Sequence, residues 1–122
     1  MPCLHPTENQ FSYKCLYFRI NPFFKAAHDL GRCTLTVRYL DTADAESFKI
    51  QYDSTDRSAL MDGAYKDTRV VALQGSGEWK TATFELADAR FGGRQNGGAD
   101  FRIWTGSTAL CVRSITLEPA GK

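Results

Sequence analysis

Two alternating segments joined by a glycine-rich loop, within residues 75–105 (GSGEWKTATFELADARFGGRQNGGADFRIWT), constrain the fold of this chain more than any other stretch. After a Gly-Ser-Gly turn, residues 79–86 place Ala82, Phe84 and Leu86 at every second position, with Thr81, Thr83 and Glu85 between them. Successive strand residues point to opposite faces, so this pattern predicts a strand with one face on a core and the other in water. Residues 100–105 repeat it: Phe101 and Ile103 turn inward, which turns Arg102 and Trp104 outward together. Residues 87–91 predict a short polar turn with helical leaning, and residues 92–99 a loop whose glycines take positive φ. The run FGGRQNGGA is no phosphate loop, because it lacks a G-K-[ST] ending and leads into a strand rather than a helix.

The rest of the chain carries the same period. Residues 16–20 alternate, with Leu16, Phe18 and Ile20 inward and Tyr17 and Arg19 outward, and Pro22 ends that strand because it has no ladder donor. Residues 23–30 read as an irregular connection. Residues 33–40 form the cleanest strand, with Cys33, Leu35, Val37 and Tyr39 on one face and Thr34, Thr36 and Arg38 on the other. An acidic turn at 41–46 joins it to residues 47–53, where Phe48, Ile50 and Tyr52 face inward, and the pair predicts a hairpin. A long loop at 54–67 precedes a strand at 68–73. The last strand, 110–117, needs a bulge, since Leu110 and Val112 are out of step with Ile115 and Leu117. Seven short strands with no helix of any length predict an all-β fold, an antiparallel two-sheet β-sandwich. The expected core is Phe18, Leu35, Val37, Tyr39, Phe48, Ile50, Phe84, Phe101, Ile103 and Ile115.

Composition narrows the function classes. The 122 residues suffice for one core and leave no room for a second, so the expectation is a single domain over 1–122, with 1–14 partly irregular. No apolar run approaches the roughly 20 residues of a membrane span. Fifteen basic against fourteen acidic residues argue against nucleic-acid or anionic-membrane partners, which call for a basic surface. The opening residues, MPCLHPTENQ, lack the basic and apolar regions of a signal peptide. Cys3, Cys15, Cys33 and Cys111 form no C-x-x-C pair and no zinc spacing. Three disulfide pairings are open to them. The expectation is free thiols, with Cys33 and Cys111 packing in strands as small hydrophobes.

Nothing in the chain assembles a catalytic motif. Glycosidase chemistry requires two carboxyls about 5–10 Å apart across a cleft, whereas the acids here fall in loops. His5 and His28 have no nucleophile placed beside them by any G-x-S-x-G or H-E-x-x-H pattern. The chain is therefore expected not to be an enzyme.

The run W-K-T-A-T-F-x-L, the turn D-A-R-F and the strand N-G-G-A-D-F-R-I resemble the galactose-binding-like β-jelly-roll accessory domains of bacterial glycoside hydrolases. Looser matches, C-L-Y-F-R-I-N, S-F-K-I-Q-Y-D-S and G-A-Y-K-D-T, extend the resemblance over residues 16–117. It implies a jelly-roll sandwich acting as a non-catalytic carbohydrate-binding module that targets an attached hydrolase to a polysaccharide. It further implies a monomer, held outside the cell or in the periplasm as part of a secreted bacterial protein. The alternative within the same fold is a structural domain that packs on a catalytic domain and binds no sugar. Relatives carry a further strand before the first one here, so 1–14 implies a trimmed domain or a rebuilt sheet edge. Relatives also place acids where this chain has Arg19, Asn21 and Pro22, which removes ligands for the structural calcium such modules often hold. The remaining Asp41, Asp44, Glu46, Asp53, Asp56, Asp62 and Asp67 read as turn formers, and no cofactor is expected.

Sugar binding needs flat aromatic faces and planar polar groups pointing out of the strands. By parity Trp104 is the foremost candidate platform, with Arg102 beside it; the alternative is a rim tryptophan that covers the end of the sandwich beside Gly106. Tyr17 and Trp79 are further outward aromatics, although Trp79 belongs to the strand motif and reads better as scaffold. Arg19, Arg38, Lys49 and Gln51 supply the outward polar groups, and arginine can pair a ligand bidentately while its stem packs on a ring. Asn96 and Asp100, beside glycines, are expected to brace the turn rather than touch ligand.

Overall fold

The computed structural model describes residues 3–8 and 13–120. In chain order the elements are β1 (Thr7–Glu8), β2 (Lys14–Phe18), α1 (Pro22–Ala27), β3 (Cys33–Leu40), β4 (Ser47–Tyr52), β5 (Lys66–Asp67), β6 (Val71–Ala72), β7 (Trp79–Leu86), β8 (Phe101–Thr105) and β9 (Cys111–Pro119). Every pairing is antiparallel. One sheet runs β1-β2-β8-β4-β5, with β6 also on β4; the other runs β7-β3-β9. The all-β, two-sheet sandwich expected from the alternation is the fold.

The core lies between the inward rows of the two sheets. Leu35 faces Phe84 and Leu117 across its neighbours, and Ile103 sits between Leu16 and Ile50 in the other sheet. Phe48 ties the layers together, its ring edge-on to Tyr39 at 5.0 Å and to Phe84 at 6.4 Å. Of the expected core residues, Phe18 and Ile115 are partly buried at the margin and the others are buried. In β9 the register shifts: Arg38 faces Ser114 and Tyr39 faces Val112, leaving Arg113 as the extra residue. That bulge lets Val112 and Ile115 both turn inward, as their broken parity requires.

The structure departs from the expectations in three respects: strand pairing, the connecting segments and the cysteines. First, 33–40 and 47–53 do not form a hairpin. β3 lies between β7 and β9 and β4 lies in the other sheet, so the 41–46 connection crosses between layers. Each strand has one apolar face, and the two meet face to face through Tyr39 and Phe48 rather than side by side. Asp41 holds the corner. Its fully buried carboxylate accepts from the N–H groups of Gln74 (2.7 Å), Gly75 (3.1 Å) and Ser76 (3.1 Å) and from Ser76 Oγ (2.7 Å).

Second, α1, Pro22–Ala27, takes up most of the connection expected at 23–30. Asn21 Oδ1 accepts from Phe23 N at 2.8 Å and Pro22 occupies the first turn, a start signal for a helix as well as a stop for a strand. Six residues are too few to show a helical period. The helical leaning at 87–91 is not realised: Ala89 bridges Ser54, and the N–H groups of Arg90 and Phe91 donate to Asp53 O. The strand expected at 68–73 shrinks to β6.

Third, Cys111 is not free. It forms a disulfide with Cys3, 5.1 Å away between Cα atoms. Leu4 and Val112 exchange backbone hydrogen bonds of 2.8 and 3.0 Å, which hold the two segments antiparallel and bring the cysteines together. Cys15 and Cys33 are free thiols and are buried. The expectation of a partly irregular 1–14 meets this bridge and β1; residues 1, 2 and 9–12 lie outside the described residues. No described helix is long and apolar enough to cross a membrane.

Candidate functional site

The outer face of the larger sheet gathers the aromatic and polar residues that parity turns away from the core. Across its strands Cys15, Trp104 and Lys49 form one row, and Tyr17, Arg102, Gln51 and Asp67 another. Arg102 is the hub, only 5% exposed although it points away from the core. Its Nε donates to Gln51 Oε1 at 2.7 Å and its Nη1 to Tyr17 Oη at 2.8 Å. Its Cζ lies 4.2, 5.6 and 5.8 Å from the ring centroids of Tyr65, Tyr17 and Tyr13, so three ring quadrupoles face the cation. Gln51 Nε2 donates to Asp67 Oδ1 at 2.8 Å, and Asp67 pairs with Lys49 at 3.1 Å. Lys49 Nζ in turn stands 4.9 Å from the Trp104 ring, and Trp104 meets Tyr13 edge-on at 6.3 Å.

The glycine-rich loop closes one end of this face. Asn96 N donates to Tyr65 Oη at 2.9 Å and Asn96 Nδ2 to Tyr17 Oη at 3.2 Å. Two buried carboxylates pin the loop from below. Asp53 accepts from Gly92 N (2.8 Å) and Arg94 Nε (2.8 Å), and Asp100 from Gly93 N (3.0 Å), Ile20 N (2.8 Å) and Lys25 Nζ (3.1 Å). Gln95 Nε2 donates to the carbonyls of Gln51 and Ala64, while its Oε1 is the buried side-chain polar atom left without a partner among the described residues. Gly97 and Gly98 both take positive φ (69° and 77°), the conformation the tight turn needs. In the Trp104 row, burial pushes the Cys15 thiol up, against the pull of the Arg102 cation.

Of the residues expected to bind, the structure brings Trp104, Arg102, Tyr17, Lys49 and Gln51 together. Arg19 is exposed just past the end of β2, near Gly98 at the margin of the cluster. Arg38 and Trp79 belong to the smaller sheet, on the opposite outer face, where Trp79 receives Arg113 at 6.0 Å; they are not part of this cluster. Four members escaped the sequence reading. Tyr13 shares the parity of Cys15 and Tyr17 and would emerge from extending that strand backwards. Tyr65 and Asp67 come from the 54–67 stretch and Asn96 from the glycine-rich loop, where alternation says nothing. Asn96 does brace the loop as expected, but on the two site tyrosines.

The arrangement offers an aromatic edge, Tyr13 and Trp104, beside a floor of fixed hydrogen-bonding groups. Tyr13 is 45% exposed and Trp104 half-buried, so both have surface to give to a ligand. Of the acids expected to be turn formers, Asp67 joins the site, whereas Asp41 and Asp53 are engaged as above, Asp56 with Lys66 and Ser58, and Asp62 with Arg57. Among the described residues no three of His, Cys, Asp and Glu converge on a point that a metal ion could occupy. A second surface feature is an apolar groove of 720 Å³ beneath α1, lined by Phe18, Ile20, Phe24, Ile115 and Leu117, with Phe23 85% exposed at its rim. Comparison of the chain with protein-family models, with curated proteins and with solved structures returned no match.

Proposed function

We propose that this chain is a non-catalytic carbohydrate-binding module that holds a polysaccharide on the outer face of its larger sheet. The observation that carries the proposal is the pairing of exposed Tyr13 with half-buried Trp104 beside a hydrogen-bonded floor of Lys49, Gln51, Asp67 and Arg102. A pyranose presents an apolar C–H face to an aromatic ring and hydroxyls to flanking polar groups, and this surface has both within a few ångströms. A jelly-roll topology is the finer reading of the fold, supported by the way the chain changes sheet at each of its long passages, from β2 to β3, β4, β7, β8 and β9. Binding would raise the local concentration of substrate for a hydrolase in the same chain or complex. The Cys3–Cys111 disulfide supports an extracellular or periplasmic setting.

The experiment is affinity electrophoresis against plant and microbial polysaccharides. Retardation on at least one supports the reading, and unchanged mobility on all of them removes it. One observation favours a second reading, a structural domain that packs on a catalytic domain: the apolar groove with Phe23 at its rim is the kind of surface that a neighbouring domain covers. Unchanged mobility on every polysaccharide would shift the weight to it.

A further inference from the structure

We infer that the glycan this face selects carries carboxylates, as in uronic acid units, and that Arg102 is the group that meets them; this rests on the carbohydrate-binding reading above. Arg102 is a nearly buried cation without a counter-ion among the described residues. No carboxylate among the described residues lies within ion-pair distance of it, and its hydrogen-bond acceptors, Gln51 Oε1 and Tyr17 Oη, are both neutral. The nearby acid, Asp67, is taken by Lys49 and Gln51. Removing a guanidinium from water without an opposite charge is unfavourable, and neutral acceptors with tyrosine rings offset only part of that. For packing alone, an apolar side chain of the same volume would serve better.

The geometry leaves the cation usable. Nε and Nη1 are engaged, whereas Nη2 makes no hydrogen bond to the described residues. Nη2 is also not among the buried atoms lacking a partner, so it keeps a path to solvent. The Nη1–Nη2 end of a guanidinium is a fork that matches the two oxygens of a carboxylate. Tyr13, partly exposed with its ring 5.8 Å from Cζ, stands where the sugar ring bearing that carboxylate would pack. A neutral sugar would leave the buried charge as it is, whereas a uronate would neutralise it. This is the source of the selectivity.

The test uses the full chain and three polyuronates, polygalacturonate, alginate and glucuronoxylan, each paired with its carboxyl-reduced form, together with a sulfated galactan. At least one polyuronate should bind about thirtyfold or more tightly than its reduced form, the penalty expected when a buried charge loses its partner. That affinity should fall as salt is raised. Arg102→Met should lose the same factor on the polyuronate, and Arg102→Lys most of it, since lysine lacks the fork. Equal binding of native and reduced forms would overturn the inference while leaving carbohydrate binding intact, and it needs no variant that folds. A sulfated galactan held as tightly as the best polyuronate would also overturn it, showing a general anion preference. No binding to these or to any neutral polysaccharide would sink the underlying reading as well.

Discussion

Lys80 Nζ lies 2.9 Å from Asp41 Oδ2 at the corner where the chain crosses between sheets, and the Asp41 side chain is almost wholly buried. The Lys80 ammonium first and the Ser76 hydroxyl second hold the Asp41 carboxyl well below the usual carboxylate range, against burial, which pushes it up. A carboxyl whose pKa is lower in the folded than in the unfolded chain stabilises the fold above its unfolded value, about 3.9. It loses that contribution as the pH falls towards its folded value. Asp41→Asn should therefore be less stable than the parent at pH 7 and should show a flatter loss of stability below about pH 4. Urea titrations across that range check it; an acid limb identical to the parent's would mean the corner is not set by this charge.

Trp104→Ala should weaken polysaccharide binding by about thirtyfold or more, the scale of an aromatic hot spot. The indole is half-buried, packed by Tyr13 and Lys49 rather than by the core, so the stability change should be about 1 kcal/mol or less. Calorimetry and a denaturant curve on the same preparation separate the two effects. Unaltered affinity, or a loss of several kcal/mol in folding, would make Trp104 scaffold.

Phe84 and Phe101 sit in opposite sheets, Phe84 against Phe48 and Phe101 stacked on Phe18 at 5.0 Å. Either one replaced by alanine should cost about 3–5 kcal/mol, the sum of lost transfer and cavity. A cost below about 1 kcal/mol would mean the strand faces are misassigned.

The native chain should give almost no reaction with a thiol reagent, because Cys15 and Cys33 are buried and Cys3 and Cys111 are joined. Burial also pushes the Cys33 thiol up to about 11, which keeps the thiolate scarce. Unfolded without reductant, the chain should expose two reactive thiols. Reduction, or Cys3→Ser, should lower stability by about 2–5 kcal/mol, since the bridge closes nearly the whole chain. Four thiols titrating in the unfolded, unreduced protein would contradict the bridge.

The isolated chain should release no reducing sugar from soluble polysaccharides. Release above background that disappears on mutation of a single acid would overturn this.

Alternation with a period of two was enough to find the sandwich, its inward rows and the need for a bulge in the last strand, because burial acts on each strand separately. It also found most of the candidate site. Once Phe101 and Ile103 are inward, Arg102 and Trp104 are outward, and Tyr17, Lys49 and Gln51 follow from the same rule on neighbouring strands. What alternation lacks is strand order. Nothing local distinguishes the sheet of Lys49 from that of Arg38, so the period alone cannot tell the two outer faces apart. The β3–β4 hairpin failed for the same reason: adjacency in the chain is a reasonable prior for pairing, yet Asp41 is bound to a turn more than thirty residues away. The disulfide joins residues 108 apart and depended on a pairing at Leu4 that no pattern announces. Tyr65 and Asn96 reach the site from loops, where side-chain direction is set by individual hydrogen bonds rather than by a period.

The loop across the end of the site is tied down by Asp53 and Asp100, carboxylates that lie in the core and not in the loop. Its shape is thus settled when the sheets close, before any ligand arrives. If a glycan is held there as proposed, its capture would be closer to a key meeting a finished lock than to a hand closing. The entropy of ordering the loop belongs to folding, and recognition is left with the smaller task of releasing water and stilling the ligand. On that proposal, variation at the outward positions of this face would change what is recognised without reopening how the chain folds.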